Sequence, residues 1–184
     1  SIYSLMGQYD KAESLLIQAK EIRKKKLGEN HPDYAMSLNN LAVFYKIMGQ
    51  FDKAEKLYIE SKEIQKNNSG KSHPEYVISL NNLACLYGDM GLYERAEPLF
   101  IEAKEIRKKI LGENHPDYAM SLNNLATLYQ DMGQFKKAEQ LHIEAIEIQY
   151  RILGKKHPDY AMSLNNLAAL YKISGLYKKS EALY

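Results

Sequence analysis

Cys85 is the only cysteine among 184 residues, so no disulfide can form within the chain, and a reducing compartment, the cytoplasm, is the expected location. Nowhere does the sequence approach the roughly 20 continuous apolar residues that a membrane span requires, so no membrane partner is expected. Charge of one sign is lacking too. The 25 Lys and Arg are nearly matched by 23 Asp and Glu, a net charge of +2, which leaves no bulk field to draw nucleic acid or an anionic bilayer. Tryptophan is absent and proline is scarce, with five residues in all. No low-complexity or proline-rich run interrupts the chain.

What is present is repetition. HPDYAMSLNNLA occurs unchanged at 31–42, 115–126 and 157–168, and HPEYVISLNNLA stands at 73–84. The starts are 42 residues apart each time (73 − 31, 115 − 73, 157 − 115), which marks a tandem array. The units are 31–72, 73–114 and 115–156, with partial units at 1–30 and 157–184, forming one array over 1–184.

Within a unit, Tyr118, Leu122, Leu125, Tyr129 and Met132 recur at steps of three and four, the period of a helix with one buried face. Pro116 suits its first turn, where a missing N–H costs nothing, and Asp117 suits the positive end of the dipole. This helix A stops at Gly133. A second amphipathic helix B opens at Phe135, with Ala138, Leu141, His142, Ala145, Ile148 and Ile152 on one face, and ends at Leu153 and Gly154. The short connections force antiparallel neighbours, and each hairpin must stack on the next to bury its face.

The ends and the unequal copies carry further expectations. Tyr3 and Gly7 match Tyr45 and Gly49, and Tyr184 matches Tyr58, Phe100 and His142, so the chain reads as a fragment of a longer array with uncovered stacking faces that favour end-to-end self-association. Asn67, Asn68 and Ser69 replace residues including Ile110 and Leu111, which the face assignment counts as buried, so 66–72 is expected to be weakly anchored. Pro98 lies inside a helix B, just beyond its first turn, where a slight bend is expected.

Leu122, Leu125, Ala126, Tyr129, Gly133, Phe135, Ala138, His142 and Ala145 resemble the pattern of the tetratricopeptide repeat (TPR). The 42-residue period, the LNNLA core, the LGENHPDYA junction and the proline in AEPLF are more specifically similar to the TPR domain of kinesin light chain and related arrays. The resemblance implies an all-α, right-handed superhelical solenoid of antiparallel helix hairpins whose A helices line a concave groove. It also implies a protein–protein interaction module, with no enzyme activity, that holds an extended peptide or a partner helix. The alternative is an architectural spacer or self-assembly element of a larger scaffold.

With Leu122, Leu125 and Tyr129 facing the core, the pairs Asn39 and Asn40, Asn81 and Asn82, Asn123 and Asn124, and Asn165 and Asn166 fall on or near the other side of helix A. Asparagine is a middling helix former, so a pair in every A helix asks for a reason. One reason is a ladder of amides that donate to and accept from the backbone of a bound peptide, as asparagines do in the kinesin light chain-like repeats. The other is that one asparagine of each pair bonds the neighbouring repeat. Specificity would come from wall positions that vary: Val43, Cys85 and Thr127, then Lys46, Gln130 and Lys172, with Asp89 and Asp131 beside them. These form no stripe of one sign.

No cofactor, metal or nucleic acid is expected. His31, His73, His115 and His157 come once per repeat, about 16–20 Å apart at two helix spacings, too far to share a zinc ion, and they read as side chains closing the turn before helix A. The recurrence of His-Pro-Asp at each junction argues against the single tripeptide of J-domain cochaperones. Nothing near Cys85 suggests an activated thiol.

Overall fold

The computed structural model describes residues 8–182, and among these there are helices and no strand. Tyr3, Gly7 and Tyr184, and the end faces they would form, lie outside the described residues. The chain divides into two compact units, Ser1–Met90 and Gly91–Tyr184. The first holds α1 (Tyr9–Leu27), α2 (Pro32–Ile47), α3 (Phe51–Ser69) and α4 (Pro74–Asp89). The second holds α5 (Tyr93–Leu111), α6 (Pro116–Asp131), α7 (Phe135–Leu153), α8 (Pro158–Ile173) and α9 (Tyr177–Glu181). The A helices are therefore α2, α4, α6 and α8. In each unit the most extensive packing is within a hairpin, α2 on α3 and α6 on α7.

Each A helix begins the same way. His31, His73, His115 and His157 sit at the N-cap in extended backbone, followed by proline. Their Nδ1 atoms accept from the backbone N–H of Asp33, Glu75, Asp117 and Asp159 at 3.1, 3.3, 3.1 and 3.2 Å. The imidazole thus does what Ser or Asp does at most helix starts, satisfying one of the orphan donors of the first turn. The turn-closing role read from the sequence is what these histidines perform.

The ends are equally regular. After α6, Gly133 N–H bonds Gln130 O at 2.9 Å and Gln134 N–H bonds Tyr129 O at 2.8 Å, the two bonds of a Schellman motif. The motif places Gly133 at φ +72°. No atom would obstruct a Cβ there, so the demand for glycine comes from the backbone angle alone.

The core is built from the predicted stripe: Tyr118, Leu122, Leu125 and Tyr129 are buried on α6, facing Ala138, His142, Ala145 and Ile148 of α7. Each buried leucine contributes about 1.5–3 kcal/mol of transfer free energy. Ala138 and Ala145 of α7 are fully buried because their small side chains let the two backbones approach.

The buried face of helix B is shorter than the sequence suggested. Ile110, Leu111 and Ile152 are exposed, so they are not core anchors. The expected weakness at 66–72 therefore loses its basis. Helix α3 runs through Asn67 and Asn68 to the same 19-residue length as α5 and α7. Asn68 Nδ2 donates to Ile64 O at 2.9 Å and also to Asn30 O, in the loop before α2. Helix α5 likewise continues through Pro98 to Leu111.

Candidate functional site: the open face of the A helices

Each A helix carries two stripes with the same spacing. On α2, Tyr34, Leu38, Leu41 and Tyr45 are buried, whereas Met36, Asn40, Val43 and Ile47, offset by two residues, are exposed. Two residues at about 100° each turn one set to roughly the opposite side of the helix. The open set recurs as Ile78, Asn82, Cys85 and Asp89 on α4, Met120, Asn124, Thr127 and Asp131 on α6, and Met162, Asn166, Ala169 and Ile173 on α8.

This offset separates the asparagine pairs. Asn39, Asn81 and Asn123 are only 8%, 9% and 3% exposed, while Asn40 is exposed and Asn82, Asn124 and Asn166 are half-buried on the open face. The expectation that both members of a pair lie away from the core is corrected for the first member. Asn81 Nδ2 donates to Val77 O at 2.9 Å. Asn123 Nδ2 donates to Ser163 Oγ on α8 at 2.6 Å, and its Oδ1 lies 2.8 Å from His142 Nδ1 on α7. Asn165 is exposed.

With the Asn123 amide nitrogen spent on Ser163, its oxygen is left to accept, so His142 carries its proton on Nδ1. Ser163 in turn donates to Gln149 Oε1. A buried polar chain therefore ties α6, α7 and α8 together, and burial pushes the His142 pKa down to about 4. The residues matching Gln149 one and three repeats earlier are Arg107 and Arg23, whose Nη1 atoms donate to Ser121 and Ser37 at 2.9 and 2.7 Å. In these three repeats the serine of helix A is the partner of either side chain.

The remaining wall residues lie where the sequence placed them, on or beside the open stripe. Val43, Thr127, Asp89, Asp131 and Lys172 are exposed, and Lys46, Cys85 and Gln130 are half-buried. Lys46 Nζ and Asp89 Oδ2 form an ion pair at 2.8 Å between α2 and α4. Thr127 Oγ1 turns back to Asn123 O at 3.0 Å. Burial holds the Cys85 thiol above its ordinary pKa, against the opposing effect of Lys46, so it is protonated at neutral pH and unsuited to nucleophilic work.

Side chains thus link α2 to α4 through Lys46 and Asp89, and α6 to α8 through Asn123 and Ser163. Met36, Ile78, Met120 and Met162 are exposed wall residues that sequence reasoning missed. The signal was available, since each stands four residues before the second asparagine of its pair, the offset of one helical turn. Among the described residues no three His, Cys, Asp or Glu are grouped to hold a metal ion, and no helix is long and apolar enough to cross a membrane.

The family model for the tetratricopeptide repeat matches residues 1–46, 33–100, 86–151 and 126–184. The chain belongs to the tetratricopeptide repeat family. Among solved structures, it is similar to the nearly identical TPR-like repeats described for a kinesin light chain of Podosopora anserina, with 30% identity and a TM-score of 0.82 over 98% of this chain and 85% of that one. BtubC (BKLC) from P. vanneervenii follows at 29% identity and a TM-score of 0.81, over 98% of this chain and 72% of that one. A Rap protein complexed with Competence and Sporulation Factor shares the fold, with a TM-score of 0.79 at 17% identity over 100% of this chain and 49% of that one. No curated protein matches the chain. Tetratricopeptide repeats are in general protein–protein interaction modules, and the kinesin light chain-like subtype read from the 42-residue period agrees with these neighbours.

Proposed function

We propose that, within each unit, the open faces of the A helices bind an extended peptide segment of a partner protein, the second asparagine of each pair bonding its backbone and the exposed Met or Ile beside it receiving its side chains. The observation that carries this reading is the separation of the asparagine columns. Asn39, Asn81 and Asn123 are buried, whereas Asn40, Asn82, Asn124 and Asn166 recur at the same level of the open stripe. An amide there offers a donor and an acceptor together, which is what an extended backbone needs. The varying positions, Val43, Cys85 and Thr127 with Lys46, Gln130 and Lys172, would select among side chains, and their mixed character favours no single charge.

The test is a peptide-library selection followed by titration of the bound sequences against Asn40→Ala and Asn82→Ala together. Two lost hydrogen bonds at about 0.5–1.5 kcal/mol each should weaken binding roughly 5-fold to 150-fold, with the melting temperature held. Unchanged affinity in the double variant would overturn the amide-ladder reading. An intact array that selects no peptide would instead leave it an architectural spacer.

A further inference from the structure

We propose that the C-terminal ends of α5 and α7 form a docking surface for an anionic lipid bilayer, with apolar side chains entering the interface and the lysines beside them meeting the phosphate headgroups. This surface is separate from the open faces of the A helices and does not rest on the peptide reading.

Three residues of the second unit call for it. Ile110 on α5 and Tyr150 and Ile152 on α7 are 45%, 50% and 47% exposed, so burial does not account for them. Nor does the helix. The matching positions of the first unit hold Lys26, Lys66 and Asn68, and α1 and α3, with those polar residues, reach the same 19 residues and end on the same positive-φ glycine as α5 and α7. The repeat folds with polar side chains at these places, so apolar ones there serve a contact outside the fold. Exposed Leu111 lies beside Ile110. Arg151, between Tyr150 and Ile152, donates to Asn114 in the loop that follows α5, which brings the two helix ends to one edge.

The charge left over at that edge is positive, although the near-neutral balance of the whole chain conceals it. The carboxylates close by are mostly occupied: Glu105 by Lys104, Glu113 by Lys108, Asp117 by its attraction to Arg107, and Asp159 beside His157. Lys109, Lys155 and Lys156 are exposed and form no ion pair among the described residues, and Arg151 has the neutral Asn114 for a partner. Against these four cations stands the exposed Glu147. Lys155 Nζ also lies 5.6 Å from the centre of the Tyr150 ring, so cation and apolar surface are in contact. An apolar patch beside unpaired cations selects an anionic partner.

The extent of the patch favours a bilayer over a protein. Four side chains exposed to this degree present on the order of 300 Å² of apolar surface, short of the roughly 800 Å² per partner that a stable protein interface buries. A bilayer requires no matching outline. Each apolar side chain that enters the headgroup–acyl boundary and each lysine near anionic headgroups contributes independently. Lysine stems lie along apolar surface while their ammonium groups reach the phosphates, and a tyrosine ring favours the same boundary.

The experiment is co-sedimentation of the chain with vesicles of phosphatidylcholine alone and of phosphatidylcholine with roughly one-third phosphatidylserine, the kind of lipid that gives a bilayer its negative surface potential. The anionic vesicles should bind roughly tenfold or more tightly than the neutral ones. Two variants separate insertion from attraction. Ile110→Lys, Tyr150→Lys and Ile152→Asn together install the first unit's residues, which the repeat accommodates; they add positive charge, yet binding should fall roughly tenfold because the apolar contact is lost. Lys155→Glu with Lys156→Glu should lower it by a similar factor. Equal binding to the two kinds of vesicle, or binding to neither, overturns the proposal, and so does unchanged or tighter binding by the triple variant. An acidic amphipathic peptide that binds the parent chain where the vesicles do not would overturn the bilayer and make the edge a protein-docking surface.

Discussion

Tyr129, at the end of α6, donates its hydroxyl proton to Glu97 Oε1 near the start of α5 at 2.7 Å. The residues are 32 positions apart, and the same bond recurs as Tyr45 to Glu13, Tyr87 to Glu55 and Tyr171 to Glu139 at 2.7, 2.8 and 2.8 Å. Lys137 Nζ lies 4.9 Å from the centre of the Tyr129 ring, and Lys53 and Lys179 sit likewise over Tyr45 and Tyr171. Tyr45, Tyr129 and Tyr171 thus each join the helix B before their own hairpin to the helix B within it.

Removing that hydroxyl should loosen the joint between consecutive repeats. Tyr129→Phe is expected to cost roughly 1–2 kcal/mol, because Glu97 loses a donor yet is only half-buried and can be rehydrated. Urea unfolding of the variant measures this, and an unchanged midpoint would show the bond to be idle.

The same hydroxyls predict alkaline sensitivity. Burial, then the Glu97 bond, pushes the Tyr129 pKa up to about 12, and Tyr45 and Tyr171 behave alike. An unfolded tyrosine ionises near 10. Between these values the unfolded chain has released the proton and the folded chain still holds it, so the contribution present below pH 10 is lost as pH rises toward 12. Thermal melts from pH 9 to 12 should fall more steeply for the parent than for a variant with all three tyrosines changed to Phe.

His142 predicts the opposite limb. Buried and neutral, it takes a proton in the folded state only near pH 4, whereas the unfolded residue does so near 6.5. As pH falls from 6.5 to 4 the unfolded state gains a proton that the folded state refuses, so stability falls, by up to about 2–4 kcal/mol. His142→Phe, the residue at Phe100 in the preceding repeat, should remove this part of the acid dependence. A difference between parent and variant that is the same at pH 7 and pH 5 would contradict it.

Asn123→Ala should behave as a packing defect. It strips Ser163 and the buried His142 of a partner, a loss of about 1–3 kcal/mol, and should lower the melting temperature. Asn124→Ala, one residue on, should lower it less, because Asn124 is only half-buried and alanine is the better helix former.

His115→Ala removes a helix start. The expected cost is about 0.5–2 kcal/mol, while His115→Asn retains an acceptor at the N-cap and should recover most of it. Equal losses in both variants would show that the Nδ1 bond contributes little.

Much of this architecture could be read from the chain because its signals are local. The period of Tyr118, Leu122, Leu125 and Tyr129, the proline at each helix start and the glycine at each end are set within one turn of the backbone. What escaped reading depends on direction or on distant partners. Adjacent asparagines differ by about 100° around the helix, enough to send Asn123 into the neighbouring repeat and Asn124 to the open face. Ile110 and Ile152 keep the helical period but are exposed. The tyrosine to glutamate bonds join residues 32 apart, a separation that no local pattern encodes.

Cys85 lies on the open face of α4, between Asn82 and Asp89 in the stripe, and it is the only thiol in the chain. Half-buried and held protonated, it should alkylate slowly, at a rate set by access and by the small thiolate fraction. A ligand lying across α4 would cover it. The chain therefore contains its own footprinting reporter: timed reaction with iodoacetamide, read by mass, measures occupancy of that face with no label added.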